Sequence, residues 1–325
     1  MDLFKPVKIG SIKSRNHFIR SATYEGKADD RGFPTEEIKN MYEELAKNDV
    51  GVIITSYTFI SDYEQPAKNQ LGIYSGEFIP EYRKITDSIH DLGGRIVLQI
   101  VHGSSSSQGF PEKAKVLGPS AVEHPSSGII PKEMTGQDIE SVKKLFCDAA
   151  LRGKKAGFDA VQIHSAHGYL LSQFLTPVFN KRTDNYGGSP RNRIRLTEEI
   201  CRAVKETAGD DFPIWVKIDS TDGDENGLTE EDFLEMAPVL AETGIECIEI
   251  SGRNWRSFEE KDRAYFKDAA MKLSEKIDIP VILTGGLRDM DDMKSVYENS
   301  SVSLFGFARP FMQNPAFLET LKQNE

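Results

Sequence analysis

The chain has 325 residues, enough for one large α/β domain, and no apolar run approaches the roughly 18 residues that a membrane span needs. Its formal net charge of −11 would repel a phosphate backbone, which argues against nucleic acid as a partner. The opening residues lack the basic patch, long apolar stretch and cleavage site of a secretory signal. We therefore expect a soluble, cytoplasmic protein with no membrane partner.

The three cysteines are Cys147, Cys201 and Cys247. They stand far apart, and none belongs to a CxxC pair, so neither a disulfide framework nor a cysteine-ligated metal or iron-sulfur site is indicated. We expect all three to be core residues.

Short β-branched runs alternate with longer amphipathic stretches along the chain, a pattern typical of parallel strands joined by crossover helices. The predicted strands are 17–22, 50–56, 95–101, 158–164, 213–219, 245–251, 279–285 and 301–307. An open doubly wound sheet shares this alternation. No linker rich in Pro, Gly or Ser divides the chain, and a long loop follows the third strand, as functional loops do in barrels. The alternation therefore favours a single (β/α)₈ TIM barrel.

Helix boundaries are marked independently of the apolar pattern. Thr135 with Asp138 and Thr229 with Asp232 are N-cap pairs, and Ser189-Pro190 places a cap before a first-turn proline. Glycines are expected to end helices just before the next strand, at 93–94, 157, 209 and 244. These signals support eight strand and helix units.

A polar or glycine residue ends every predicted strand, whereas the strand bodies are mostly apolar. Catalytic groups of barrel enzymes gather at these carboxyl ends. The ends supply Ser21, Ser56 with Tyr57, Gln99 with His102, His164 with His167, Lys217 with Asp219, Ser251, Gly285 with Gly286, and Ala308 with Arg309. The last two ends offer backbone N–H groups and a guanidinium, which predicts a phosphate site. A tight turn and a surface ion pair are the alternative for these residues.

The cluster HSAHGY brings His164, His167 and Tyr169 to one strand end. The spacing lets both imidazoles face one cavity. It would also suit a divalent metal if Asp219 or His102 supplied a third ligand. Lys217, set in an apolar strand, could be an aldolase Schiff-base nucleophile or a fixed cation.

These residues resemble the old yellow enzyme family of NAD(P)H:flavin oxidoreductases over nearly the whole chain. The opening LFKPVKIGSIKSRN is similar to that family's N-terminal hairpin. Residues 164–200, HSAHGYLLSQFLTPVFNKRTDNYGGSPRNRIRLTEEI, resemble its central signature. The likeness is to the compact bacterial subgroup. It implies one FMN-binding TIM-barrel domain over 1–325, with a short hairpin cap.

The resemblance also implies roles at the strand ends. Gln99 would bond the flavin pyrimidine edge, and Lys217 would lie near flavin N1 and the C2 carbonyl. Gly286, Ala308 and Arg309 would bind the FMN phosphate, with Gly285 beside them, while Ser21 and Ala22 would lie against the ring. Tyr57 completes the expected cofactor contacts. His164 and His167 would donate to the substrate carbonyl oxygen, and Tyr169 would protonate the α-carbon. No metal is implied.

Three departures from the family pattern bear on these roles. Ser21-Ala22-Thr23-Tyr24 replaces the usual proline and methionine, so either Thr23 or Tyr24 would approach the flavin O4/N5 edge. Lys217 stands where many members have arginine, and a point charge lacks a guanidinium's bidentate grip. The sequence ends at Glu325, without the C-terminal extension of some relatives.

The sequence therefore predicts an FMN-dependent ene-reductase, reduced by NADH or NADPH, that acts on small enone-type substrates with ping-pong kinetics. Three alternatives stay open: a class I aldolase or lyase that uses Lys217, a metal-dependent hydrolase, and a non-catalytic flavin-binding protein. Whichever function holds, the sequence is also compatible with a homo-oligomer.

Overall fold

The computed structural model describes residues 2–107, 116–259 and 261–323. Within these residues, eight parallel strands form a closed barrel, because each strand pairs with the next and the last also pairs with the first. The barrel strands are β3 (Phe18–Arg20), β4 (Val52–Ile54), β6 (Ile96–Val101), β9 (Ala160–Ser165), β10 (Ile214–Asp219), β11 (Cys247–Ser251), β12 (Val281–Thr284) and β13 (Leu304–Phe307). Each lies inside or within one residue of a predicted strand, so the predicted (β/α)₈ barrel is confirmed.

Helices connect successive barrel strands, and two more helices follow the last strand. They are α1 (Glu36–Lys47), α2 (Phe78–Asp91), α3 (Gly136–Lys155), α4 (Leu170–Leu175), α5 (Pro190–Arg193), α6 (Arg195–Ala208), α7 (Glu230–Ala241), α8 (Lys267–Ser274), α9 (Met290–Asn299), α10 (Arg309–Gln313) and α11 (Phe317–Gln323). None of the helices in the described residues is long and apolar enough to cross a membrane.

The helix ends follow the predicted caps. The Thr135 side chain accepts from the Asp138 N–H in a complete capping box, while Thr229 and Ser189 cap α7 and α5. Gly93, Gly157, Gly209 and Gly244 all have positive φ, between 72° and 86°. An L side chain is strained in this conformation, which is why glycine ends these helices.

The N-terminal hairpin closes the amino-terminal end of the barrel. Strands β1 (Val7–Ile9) and β2 (Ile12–Ser14) are antiparallel, and Gly10 makes their turn with φ 58°. Ile9 and Ile12 are buried against the residues that fill this end of the barrel, among them Trp215. The hairpin therefore acts as an apolar plug, as predicted.

The long loop predicted after the third strand contains short regular pieces. A 3₁₀ turn spans Ser104–Ser106, and β7 (Leu117–Gly118) pairs with β8 (Lys132–Glu133). Residues 108–115 of that predicted loop lie outside the described residues. Strand β5 (Thr58–Phe59) adds to β6 after the second barrel strand, and a second 3₁₀ turn spans Arg253–Ser257. The segments around the carboxyl-terminal mouth are thus partly ordered by local hydrogen bonds.

Candidate active site

The barrel interior changes from apolar to polar along each strand. Side chains of a strand alternate between its two faces, so inward-facing residues recur at every second position. On β10 the order is Trp215, Lys217 and Asp219, and the residues in register with them on β11 are Cys247, Glu249 and Ser251. The apolar layer at the amino-terminal end includes Ile19, Val97, Ala160, Trp215, Cys247, Ile282 and Leu304. Two residues further along these strands, the interior is lined by polar side chains, except on β13, where the residue is Gly306.

The polar layer is one hydrogen-bonded network centred on Glu249. Lys217 Nζ lies 2.8 Å from both Glu249 Oε1 and Ser21 Oγ. The Ser21 hydroxyl donates to the same carboxylate. Gln162 Nε2 donates to Glu249 Oε2 over 2.8 Å, and Gln99 Nε2 donates to Gln162 Oε1 over 2.7 Å. The network thus joins Ser21, Gln99 and Lys217. These residues come from three separate predicted strands, and each of them was predicted from the sequence to be a cofactor contact.

The charges in this layer balance each other. Glu249 is fully buried, and burial alone would raise the pKa of its carboxyl group. The neighbouring Lys217 ammonium and the hydrogen bonds from Lys217, Ser21 and Gln162 outweigh that effect and lower the pKa. Lys217 is therefore half of a buried ion pair. Its Nζ is held between Glu249 and Ser21, as expected for a fixed cation, the second of the two roles considered for this residue.

Above this layer, four aromatic and imidazole rings lie side by side. The ring centroid of His164 is 5.1 Å from that of His167 and 5.3 Å from that of Tyr169. Tyr57 lies 5.3 Å from Tyr169 and 6.3 Å from His164. The structure thus brings together all three predicted catalytic residues and the Tyr57 of the second strand end.

Burial sets the protonation states of this ring cluster. Burial, the other imidazole and the Lys217 charge hold the pKa of His164 well below its usual value. Burial and Lys217 do the same to His167, with a smaller contribution from Arg256. Burial raises the pKa of Tyr169, although the Tyr57 hydroxyl opposes this shift. At neutral pH both histidines are uncharged and Tyr169 retains its proton, which suits hydrogen-bond donation and proton transfer.

The chain makes a left-handed turn shortly after β9. His167 and Gly168 have φ of 64° and 81°. The His167 N–H donates to Asp219 Oδ2 over 2.8 Å, and the Gly168 N–H donates to Ser172 Oγ over 3.0 Å. Ser172 in turn donates to the same Asp219 oxygen over 2.7 Å. Since His167 Nε2 lies 2.8 Å from Ser251 Oγ, the residue is held at both its backbone and its ring.

Asp219 is an unusual carboxyl group. It is 1% exposed, and its second oxygen, Oδ1, has no hydrogen-bond partner. Burial raises its pKa to about 7, against the hydrogen bonds from Ser172 and His167. The turn that carries His167 therefore rests on a carboxyl group that titrates near neutrality.

The segment after β3 is fixed by a buried ion pair. Arg20 donates to the Ile54 carbonyl, to the Thr23 hydroxyl and to the Glu25 carboxylate. Ala22 is half-buried against the barrel interior. Tyr24 is 41% exposed, with its ring 6.0 Å from Tyr57 and its hydroxyl donating to the Lys68 carbonyl. Thr23 is thus held toward the barrel wall, whereas Tyr24 borders the aromatic cluster.

The predicted phosphate end is also assembled. Gly285 and Gly286 have φ of 125° and 70°, and a Cβ on either would lie 2.6 Å or 2.5 Å from the Tyr265 ring. Ala308 precedes α10, and Arg309 Nη2 donates to the Tyr265 hydroxyl over 3.1 Å. At positions 285 and 286, only glycine leaves room for the close approach of the Tyr265 ring. The backbone groups and the guanidinium fit a phosphate, and the amides and ammonium of the polar layer fit a ring with both donors and acceptors, so the donor set suits FMN.

The histidines do not assemble a metal site in the described part of the chain. No three His, Cys, Asp or Glu side chains there are grouped as ligands. His102, considered above as a third ligand, lies beside Glu64, with Nδ1 3.7 Å from Oε2. The three cysteines are free and buried, as expected.

Two network residues were missed by the sequence reasoning. Gln162 and Glu249 stand in the middle of predicted strands that should be buried on both faces. A carboxylate inside such a strand is itself a signal, because buried charges are normally paired. Glu249 is in register with Lys217 on the neighbouring strand, so the ion pair was in principle predictable.

A family model described as "NADH:flavin oxidoreductase / NADH oxidase family" matches residues 2–325. The chain belongs to this family. As an NADH:flavin oxidoreductase, it is an enzyme that uses FMN, with NADH or NADPH as the reductant. The resemblance to old yellow enzyme is thereby confirmed.

Relatives of this NADH:flavin oxidoreductase include an NADPH dehydrogenase of Bacillus subtilis (strain 168), 30% identical over 98% of this chain and 93% of that protein. An NADH oxidase of Thermoanaerobacter brockii is 30% identical over 99% of this chain and 51% of its own length. Among solved structures, a 2-naphthoyl-CoA reductase with 2-naphthoyl-CoA has a TM-score of 0.90 at 25% identity, covering 99% of this chain and 52% of that one. Old yellow enzyme from Pichia sp. AKU4542 has a TM-score of 0.82 at 26% identity, covering 99% and 86%.

The chain spans about half the length of the NADH oxidase and the naphthoyl-CoA reductase that it matches, because it covers 51% and 52% of them. Its similarity to these longer proteins is therefore limited to the matched half of each. The Bacillus protein and the Pichia structure are matched over most of their length.

Proposed function

We propose that this oxidoreductase is an ene-reductase that reduces the C=C bond of small α,β-unsaturated carbonyl compounds. The observation that carries the proposal is the ring cluster, in which the neutral imidazole of His167 and the protonated phenol of Tyr169 lie 5.1 Å and 5.3 Å, centroid to centroid, from the neutral imidazole of His164. Such a set donates hydrogen bonds to an oxygen and a proton to a carbon without carrying a charge of its own.

The polar layer and the two glycines beside Arg309 would hold FMN between them. The residues proposed for this role are Ser21, Ala22, Thr23, Tyr57, Gln99, Lys217, Gly285, Gly286, Ala308 and Arg309. Together with the ring cluster they make the described chain one FMN-binding barrel domain. FMN held there would supply the redox chemistry, the transfer of hydride from the nicotinamide to the β-carbon of the unsaturated compound.

His164 and His167 would bind the carbonyl oxygen of the substrate. Negative charge develops on that oxygen as the β-carbon is reduced, and a preorganised donor is worth about 3 kcal/mol to such a transition state. Asp219, Ser172 and Ser251 keep His167 in place, so little reorganisation is needed. Tyr169 would deliver its proton to the α-carbon.

The nicotinamide and the unsaturated compound would occupy the same pocket in turn, which gives ping-pong kinetics. One ring cluster lies beside the polar layer, and it would serve both half-reactions. The test is an anaerobic absorbance titration: the flavin band should be bleached by NADH or NADPH and restored by cyclohexenone. A purified holoprotein that is bleached and then stays bleached with enones would contradict the proposal.

Tyr169→Phe separates the two half-reactions. Without the phenol proton, reoxidation by cyclohexenone should slow by about 10²-fold or more, while bleaching by the nicotinamide should change by less than about twofold. Tyr186→Phe is the matched control, because the Tyr186 hydroxyl contacts Glu199 on the outer helix α6. Equal slowing of both half-reactions in Tyr169→Phe would remove its assigned role.

A further inference from the structure

At the mouth of the barrel, the guanidinium of Arg256 contacts the ring of Trp255, which lies beside His167. The 3₁₀ turn Arg253–Ser257 follows β11 and carries Trp255, whose ring centroid is 6.4 Å from that of His167. The guanidinium carbon of Arg256 lies 5.0 Å from the Trp255 ring centroid. Stacking on an aromatic face limits the freedom of this otherwise exposed side chain.

The charge of Arg256 is not neutralised within the described residues. No carboxylate there lies within 4.0 Å of its guanidinium, whereas three other cations on β10 and in the segment after β11 are paired, and Arg309 is assigned to the FMN phosphate. Lys217 pairs with Glu249, Arg253 lies 3.8 Å from Asp222, and Lys261 lies 2.8 Å from Glu259. Among the described residues from Arg253 to Lys261, Arg256 is thus the cation that has no carboxylate partner.

The electrostatic influence of Arg256 extends into the ring cluster. After burial and Lys217, it is the next cause of the lowered pKa of His167. It also opposes the burial that raises the pKa of Tyr169. A group bound to Arg256 would therefore lie within the same electrostatic environment as the residues proposed to act on the substrate.

We propose that Arg256, stacked on Trp255, binds an anionic group of the substrate, so that the enzyme prefers α,β-unsaturated carbonyl compounds bearing a carboxylate. This inference rests on the proposed ene-reductase function. A guanidinium binds a carboxylate through two parallel hydrogen bonds, which fixes orientation as well as adding affinity. The net charge of −11 repels anions in general, so recognition of an anion depends on a local unpaired cation.

The test compares one substrate with and without its charge. 4-Oxopent-2-enoate and its methyl ester share the same enone and differ in the carboxylate. The wild type should have a kcat/KM about tenfold higher for the acid, a ratio that corresponds to about 1.4 kcal/mol. Arg256→Gln should lower kcat/KM for the acid by about tenfold and for the ester by less than about twofold. Because Arg256 is exposed, added salt should reduce the preference.

Two further variants sharpen this result. Arg256→Lys keeps the charge but loses the planar fork, so it should retain part of the preference. Lys261→Gln removes the same charge from the same segment at a residue already paired with Glu259, and it should behave as the wild type. Unchanged thermal unfolding of all three variants would show that the effects are not due to misfolding.

Each other outcome overturns the inference in a recognisable way. If acid and ester are reduced equally well and Arg256→Gln changes neither, the subsite is refuted while the ene-reductase function stands. If Arg256→Gln raises the KM for NADPH but not for NADH or the acid, the cation serves the nucleotide phosphate instead. If neither compound reoxidises the reduced enzyme, the proposed function has failed and the inference with it.

Discussion

The two ends of the barrel are built from the same strands, yet two residues separate an apolar layer from a polar one. At the amino-terminal end, Trp215 and Cys247 pack against the hairpin residues Ile9 and Ile12. Two residues further along β10 and β11, Lys217 and Glu249 form a buried ion pair. The first layer needs only shape and volume, whereas the second needs every partner in place. Substitutions at the two ends should therefore affect the protein in different ways.

The largest effect is expected from Glu249→Ala in the polar layer. It leaves the Lys217 ammonium buried without its carboxylate, which costs about 3–5 kcal/mol of unfolding free energy. Urea denaturation measures the loss. The double variant Lys217→Met/Glu249→Leu should be more stable than Glu249→Ala, because both charges are gone. Glu246→Ala, which loses only partly exposed bonds to Ser11, is the control, and a similar loss there would contradict this account.

The next effect concerns Asp219 and pH. Its folded-state pKa of about 7 exceeds the usual value of 3.8, so the unfolded chain releases this proton first as pH rises. Asp219 therefore lowers the free energy of unfolding progressively as the pH rises from about 4 to about 7, and it lowers that free energy no further above pH 7. Asp219→Asn cannot titrate. Relative to the wild type, it should gain about 3 kcal/mol of unfolding free energy between pH 5 and pH 8.

Urea unfolding of the wild type and Asp219→Asn at both pH values measures that difference. Asp224→Asn, at an exposed carboxyl group after the same strand, is a matched control that should show no such gain. A wild type and an Asp219→Asn variant with parallel pH dependence would show that Asp219 is already ionised at pH 5.

A smaller effect is expected at the apolar end. Ile12→Ala removes a side chain from the hairpin plug and should lower the free energy of unfolding by about 2–3 kcal/mol. The same variant should bind FMN as the wild type does, because the plug lies at the opposite end from the polar layer. Flavin fluorescence quenching measures this binding, and loss of FMN affinity in Ile12→Ala would break the distinction between the two ends.

The smallest effect is expected at Gly306. This residue belongs to β13, which lies between β12, the strand that carries Thr284, and β3. A Cβ on Gly306 would lie 2.0 Å from Thr284 Oγ1, which bonds Glu249 over 2.9 Å. Gly306→Ala should displace that hydroxyl and cost about 1–2 kcal/mol. Gly136→Ala, where a Cβ meets nothing within 4 Å, is the control and should be neutral or slightly stabilising. Equal unfolding midpoints for the two variants would contradict the packing argument.

The sequence was sufficient for the fold because its signals are local. Strand bodies, N-caps such as Thr135 and helix-ending glycines such as Gly157 each report on a few neighbouring residues. The ring cluster was also predictable, since His164, His167 and Tyr169, the residues proposed as catalytic, lie together in one short segment. Local pattern and tertiary structure agree at these positions.

The rest of the site depends on contacts between distant residues. Ser21 and Lys217 are 196 residues apart, and their bond exists only once the barrel has closed. Tyr265 covers Gly285 and Gly286 from another loop, and Trp255 reaches His167 from the turn after β11. No local rule places such side chains. The departure at Thr23 was visible in the sequence, but its attachment to Arg20 was not.

FMN affinity of two variants on strand β6 tests the central claim most directly. Val97 belongs to the apolar layer and Gln99 to the polar layer, two residues further along. If the polar layer holds FMN, Gln99→Leu should weaken FMN binding by about tenfold or more, whereas Val97→Ala should change it by less than about twofold while lowering stability. Intact FMN affinity in Gln99→Leu together with a large loss in Val97→Ala would contradict the account.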